Sequence, residues 1–406
     1  MKKVKQGLLF KQKHMIYLMS ITQYFTKVFL LLWMTAILVP VQARAEAYDS
    51  SETILAELTN LHGASGFENE VRDYVEKRWK NAGLDTKVDG IGNLIGRFTQ
   101  STSNLKKKKR RKILVMAHLD EVGFITKNLN TDGTIQAIPL GGWLPHALWA
   151  HKWQIQFPDR KILAISGIDP PHTLEDYRLN PTLTTKQFFL DTGKSAEELK
   201  QLGFRPGLPI TPDAKFFVLK KKSRYAAKAF DDRAGIALMI QLIDKLKQHP
   251  KLLEKNEIIF AATVQEEVGM RGARAIAGSV QPDFILNLEA GIARDYPSQF
   301  SNENIPKLGE GPVVFVFDAS MLPNVALVDR ISKVAIKNNI PFQWGYEQTY
   351  GQDASSMQTA GNGAAAVNLA IPIRYAHSHY SIMDRKDYDN LLYLLEKIIT
   401  TISYPD

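Results

Sequence analysis

The stretch Gln265-Glu266-Glu267-Val268-Gly269 constrains this chain more than any other. It follows residues 257–264 (EIIFAATV), a nearly uninterrupted apolar run that reads as a parallel strand buried on both faces. Two adjacent carboxylates at the end of such a strand repel each other, and both lose hydration. A bound cation resolves the conflict, taking one carboxylate as ligand and leaving the other as a base towards an activated water. A Glu-Glu pair alone also fits a solvated turn, so the rest of the chain has to decide.

Other apolar runs end in the same kind of side chain. Residues 113–117 (ILVMA) lead into His118-Leu119-Asp120-Glu121, at the strand end where open α/β sheets bind ligands. Residues 283–288 (DFILNL) end at Glu289, and 364–370 (AAAVNLA) lead on to His377-Ser378-His379. Asp231-Asp232-Arg233 opens a helix with apolar Ile236, Met239, Ile240, Ile243 and Leu246. Upstream, residues 51–82 predict two helices broken at 63–66 (GASG), with Val71, Tyr74, Val75 and Trp79 near helical spacing. Residues 84–98 alternate as a hairpin with turns at Asp89-Gly90 and Gly92-Asn93. From 122 to 222, Pro and Gly are frequent and short strand-like runs dominate (GFITKNL, TIQAIPL, WQIQFP, KILAISG), with a helical stretch only near 195–202. The predicted fold class is α/β, a mainly parallel sheet flanked by helices. A β-rich domain, 122–222, is inserted between catalytic segments 46–121 and 223–406.

Residues 1–45 stand apart. They carry seven Lys or Arg and no Asp or Glu, an apolar run over 28–41 too short to span a bilayer comfortably, and Ala43-Arg44-Ala45 at their end. This predicts a secretory signal peptide over 1–45 and an exported protein, periplasmic or secreted, with no stable membrane insertion after cleavage. An N-terminal anchor is the alternative, and translation starting at Met15 or Met19 would shorten the long basic lead. Taking those seven from the 51 basic residues leaves 44 against 42 acidic ones, so the formal charge of +9 is mostly the leader's. The remaining basic block, 106–112 (KKKKRRK), reads as a solvated loop. No aromatic residues interleave it, so nucleic acid is not an expected partner. There is no Cys, so the mature chain has no disulfides and any metal site must be built from His, Asp and Glu.

His118, Asp120, Asp231, Glu266, Glu267, Glu289 and His377 all follow predicted strands or open a helix. Two His and three carboxylates suit two closely spaced divalent ions, with one carboxylate shared and one carboxylate plus one His for each ion. That leaves Glu266 as base and Asp120 to orient His118. Residues 117–124 (AHLDEVGF), 229–235 (AFDDRAG), 264–269 (VQEEVG) and 374–378 (RYAHS) resemble the tetrahedral and glutamyl aminopeptidase family of dinuclear metallopeptidases, some of whose members carry an endoglucanase-like label. Residues 61–68 (LHGASGFE), 89–95 (DGIGNLI), 141–144 (GGWL) and 351–354 (GQDA) extend the likeness in order from about residue 51 to the C-terminus.

The resemblance implies a zinc-exopeptidase-like α/β domain and an inserted domain used in homo-oligomerisation. It implies two divalent ions per chain, zinc or cobalt. His118, Asp231 and Glu289 would hold the first; Asp231, Glu267 and His377 the second, with Asp231 bridging and Glu266 as general base. The expected activity is metallo-aminopeptidase hydrolysis of N-terminal residues from peptides. Relatives usually carry Asp where this chain has Glu289, which displaces the carboxylate by about 1.5 Å, one carbon–carbon bond. His379 stands where relatives commonly carry Pro, and no role is assigned to it. Expected relatives are mostly intracellular, unlike an exported chain. A catalytically impaired relative serving as a binding or scaffold protein is a second expectation, kept open by Glu289. A glycoside hydrolase fits less well: it needs two carboxyls about 5–10 Å apart across a sugar, not adjacent in sequence. N-terminal sequencing of protein recovered from the producing cell tests the export expectation. A start at Glu46 is predicted, and an intact leader in the membrane fraction would mean an anchor instead.

Overall fold

The computed structural model describes residues 49–98, 110–168, 170, 172, 185–220, 223–297 and 305–402. The leader 1–45 and the first part of the basic block, 106–109, lie outside them. In chain order the elements are α1 (Ser50–Asn60), α2 (Asn69–Asn81), β1 (Leu84–Val88), β2 (Leu94–Phe98), β3 (Arg111–His118), β4 (Gly123–Leu129), β5 (Ile135–Leu140), β6 (Lys152–Gln156), β7 (Lys161–Ser166) and β8 (Phe189–Asp191). Then come α3 (Ala196–Gln201), β9 (Pro209–Pro212), β10 (Phe217–Lys220), β11 (Arg224–Ala227), α4 (Phe230–Leu246), α5 (Pro250–Lys255), β12 (Asn256–Thr263), α6 (Arg271–Ile276) and β13 (Phe284–Ile292). The chain closes with β14 (Val313–Asp318), α7 (Val325–Lys337), β15 (Gln343–Glu347), α8 (Ala354–Gln358), β16 (Ala365–Arg374), β17 (Ser381–Asp384) and α9 (Arg385–Ile402).

The apolar runs pair with one another as a two-sided core demands. Strands β12, β3, β13 and β16 lie side by side and parallel at the centre of a mixed sheet ordered β1-β2-β12-β3-β13-β16-β17-β11-β10, whose outer strands are antiparallel. Side chains alternate across it. Ile113, Val115 and Ala117 enter the larger core with α1, α2, α4, α7 and α9, whereas Leu114 and Met116 enter the core under α6 and α8. Burial on both faces is why these strands carry no polar alternation. Helix α4 is buried around almost its whole circumference and packs on β3 and β13.

Register aligns the ends of the parallel strands. Thr263 at the end of β12 stands opposite His118 at the end of β3, and Glu289 on β13 stands opposite Ala370 on β16. Glu289 is not a strand-end residue, as the apolar pattern had suggested. β13 runs on to Ile292, because Ala290 and Gly291 continue pairing with Ile371 and Pro372.

Strands β4-β5-β8-β7-β6-β9 close into a small barrel. Its core is separate from the sheet's and is centred on Phe124, Trp143, Trp153, Phe188 and Ile210. The last barrel strand ends at Pro212, short of the 222 boundary drawn from composition. Phe217–Lys220 instead joins β11 at the edge of the large sheet. Its half-exposed, strand-like residues look the same in sequence whichever sheet they extend. Among the described residues, no helix is long and apolar enough to cross a membrane.

Candidate metal centre

The Glu-Glu turn is held from outside. Beyond Thr263, four consecutive backbone N–H groups each donate to a side chain from elsewhere in the chain. Val264 donates to Asn93 Oδ1 (3.0 Å), Gln265 to Glu68 Oε1 (3.0 Å), Glu266 to Asp120 Oδ1 (3.0 Å) and Glu267 to Asp120 Oδ2 (3.2 Å). Gln265 sits at φ +56, a left-handed conformation unfavourable for a residue with a Cβ, and those side chains fix the backbone around it. Asp120 also accepts from the Ser65 hydroxyl (2.6 Å), and Glu68 from the Gly66 N–H (2.7 Å), so the loop between α1 and α2 braces the turn.

In front of the turn, the two oxygens of Asp231 face different imidazoles. His118 Nε2 lies 3.0 Å from Oδ1, and His377 Nε2 lies 3.5 Å from Oδ2. His118 Nε2 is also 3.4 Å from Glu289 Oε1, and His377 Nε2 is 3.3 Å from Glu267 Oε2. The two triads thus share one carboxylate. The other ring nitrogen of His118 lies nearer the Asp120 backbone carbonyl (3.1 Å) than its carboxylate (3.5 Å). Asp120 therefore orients His118 chiefly through the main chain, while its side chain serves the Glu-Glu turn. All seven residues singled out in sequence gather here: His118, Asp120, Asp231, Glu266, Glu267, Glu289 and His377.

Three further acids belong to the cluster. Asp232 accepts from the Gly235 N–H (3.0 Å) at the start of α4 and from the His118 N–H (3.3 Å); its carboxylate groups closely enough with His118 and Glu289 to share an ion, as Asp231 does with His118 and Glu267. Asp353 is fully buried, with Oδ2 taking the Thr263 hydroxyl. Glu68 is the third. Their signals were present in DDR, GQDA and SGFE, but their partners lie far off in sequence.

So many buried acids cannot all ionise at once. Burial pushes Glu267 up to about 8, Glu289 and Glu68 up to about 7 and Asp353 up to about 6, with Glu266 and Asp232 well above the carboxylate range. Asp231 is displaced the other way: burial opposes its charge, but His118 and His377 hold it well below the usual range. Burial also opposes charge on the imidazoles. Glu289, Asp120 and Asp231 nonetheless raise His118, and Glu267 and Asp231 raise His377 to about 10. In the absence of a cation the site must retain protons on groups that would otherwise ligate. Glu267 Oε1 is buried with no hydrogen-bond partner. An imidazole and two carboxylates converging twice around one shared carboxylate, with a spare buried oxygen, fit divalent cations held by N and O donors.

Residues 93–394 match the M42 glutamyl aminopeptidase family. The chain is 30% identical over 355 residues to the glutamyl aminopeptidase of Lactococcus lactis subsp. cremoris, covering 85% of this chain and 95% of that protein. Its fold matches the crystal structure of a TET aminopeptidase from the marine sediment archaeon Thaumarchaeota archaeon SCGC AB-539-E09, with a TM-score of 0.80 and 32% identity over 86% of this chain and 96% of the other. It likewise matches the Pyrococcus horikoshii TET1 peptidase, which can assemble into a tetrahedron or a large octahedral shell. That match has a TM-score of 0.75 and 28% identity over 86% and 99% of the two chains. The chain belongs to the M42 family of aminopeptidases and is a peptide hydrolase.

Proposed function

We propose that this chain is a dinuclear metallo-aminopeptidase. His118, Asp231 and Glu289 would hold one divalent ion, Asp231, Glu267 and His377 a second, and Glu266 would act as general base. The observation that carries the reading is the division of Asp231 between two imidazoles, one on each oxygen, with a further carboxylate beside each imidazole. Zinc or cobalt ions held at these residues would supply Lewis-acid polarisation of the scissile carbonyl and activation of a water near neutral pH. Glu266 would accept a proton from the attacking water and pass it to the leaving amine. Glu266 is largely buried on the turn but retains some exposure. Asp120, holding the N–H groups of both glutamates, keeps base and ligand at a fixed separation. Glu289 reaches His118 from within β13, with Oε1 3.4 Å from Nε2.

The same reading has the enzyme act on peptides outside the cytoplasm once residues 1–45 are removed, as the Ala43-Arg44-Ala45 site and the basic leader suggest. It also has the chain self-associate through the barrel. The shell formed by the Pyrococcus horikoshii relative supports this. So does the barrel's outer surface, where Leu144 is 71% exposed, Leu163 51%, Ile165 49% and Ile138 43%. Sedimentation velocity is the check. The protein should run as a multimer, and Leu163→Glu combined with Ile165→Glu should shift it to smaller species. A native protein that sediments as a monomer would contradict self-association.

The roles of the paired glutamates separate cleanly in one experiment. Glu266→Gln preserves size and removes the basic carboxylate, so both ions should remain bound while turnover falls about 10²–10⁴-fold. Glu267→Gln should instead lose metal, because His377 and Asp231 are left around a poorly held ion. Metal content and peptidase rate are measured on the same preparations. Loss of metal from Glu266→Gln together with full loading of Glu267→Gln would reverse the roles. If neither variant affects hydrolysis, the cluster is not the active site.

A further inference from the structure

His377 sits in the loop joining β16 to β17, and that loop has an unfavourable backbone. Tyr375 and His377 both have positive φ, +63 and +55, although neither is glycine. Such a conformation is disfavoured for a residue with a Cβ and persists only where the surroundings enforce it. Part of the enforcement is local, since the Ser378 hydroxyl lies 2.7 Å from the Tyr375 carbonyl and 2.9 Å from that of Tyr380. The rest comes from the barrel. Two residues beyond His377, His379 turns away from the acidic cluster and enters the barrel's aromatic core, where it is 5% exposed. Its ring stacks on His151 (centroids 3.9 Å apart, planes 20° apart), meets Trp153 edge-on (4.4 Å, 81°) and approaches Trp143 (6.3 Å). The ring nitrogens of His379 face the main chain of Lys152 and Ala147 without a well-formed hydrogen bond, so packing of the ring is its principal restraint. From the other side, Gly142, next to Trp143, lies against the His377 ring. A Cβ at Gly142 would stand 3.3 Å from His377 Nδ1.

We infer that His379 is a positioning residue. Its ring, seated among His151, Trp153 and Trp143, fixes the loop so that His377 Nε2 faces Asp231 and Glu267. The barrel is then a structural part of the site as well as a surface for assembly, because it grips the loop on both sides of the imidazole. The inference rests on His377 being a metal ligand, as proposed above. Loss of the ring would free the loop to leave its left-handed conformation, and the ion shared by Asp231, Glu267 and His377 would be held less well. The ion at His118 and Glu289 would be little affected, because those residues lie on β3 and β13, away from the loop.

Zinc retention by the full-length protein in a series of chelator-buffered zinc concentrations reads this directly. His379→Ala should leave one of the two ions as tightly bound as in the wild type and weaken the other about 10–100-fold, the usual effect of losing a group that orients a ligand. His379→Phe, which fills the same aromatic space without a ring nitrogen, should restore retention to near the wild-type level. A general loss of structure would lower both affinities together. If His379→Ala folds poorly, Gly142→Ala gives an independent reading by crowding His377 from the barrel side, and it should weaken the same ion. Wild-type retention in His379→Ala, or in Gly142→Ala where that variant has to be used, overturns the inference, as does failure of His379→Phe to rescue. His377→Ala is measured alongside. If it keeps both ions, the assignment of His377 as a ligand fails and the inference falls with it. If it loses one ion while His379→Ala retains both, the positioning role alone is wrong.

Discussion

Repulsion among buried carboxylates is the constraint on which this structure turns. Asp231, Asp232, Glu266, Glu267 and Glu289 gather around two imidazoles at the C-terminal ends of parallel strands, and burial drives most of these acids towards their protonated forms. A folded protein carries such a cluster at a cost, since each unpaired buried charge opposes folding. The scaffold answers by rigidity. Asp120, Glu68 and Asn93 accept the main-chain N–H groups of the turn that presents the two glutamates, and these acceptors come from three different parts of the chain. A divalent cation bound there would displace protons from these acids and relieve their mutual repulsion.

The parallel core places the parts. Because β12 and β3 pair in register up to Thr263 and His118, the Glu-Glu turn and the His-Leu-Asp turn emerge side by side. β13 then brings Glu289, α4 brings Asp231 from its first turn, and β16 delivers the loop of His377. The barrel contributes no ligand to the proposed ion pair, yet its aromatic core receives His379 and its Gly142 backs the His377 ring. One sheet thus positions the candidate ligands while a second core packs against the loop of His377.

Much of this was legible in the amino-acid order. Runs such as ILVMA and EIIFAATV carry no polar alternation because both faces are covered, so the parallel strands and the residues just beyond them could be named directly. The seven residues that gather at the candidate site were readable for the same reason: ligand-type side chains at the ends of apolar runs have few structural explanations. What escaped depends on contacts between distant positions. Asp353 matters through Thr263, Glu68 through Gln265 and Asp232 through His118, and no local pattern encodes those pairings. Glu289 was placed at a strand end because hydrophobicity falls there, although pairing continues through Gly291 and Pro372. Phe217–Lys220 was assigned to the insert because an edge strand looks alike in either sheet. His379 looked idle because its partners are barrel aromatics more than two hundred residues upstream.

The central claim is that Asp231 bridges two ions, and anomalous diffraction from crystals of the metal-loaded protein tests it most directly. Data collected on either side of the metal's absorption edge should show two peaks about 3.5–4 Å apart. Asp231 should lie between them, with His118 and Glu289 on one ion and His377 and Glu267 on the other. A single peak, or two peaks that do not share Asp231, would contradict the account.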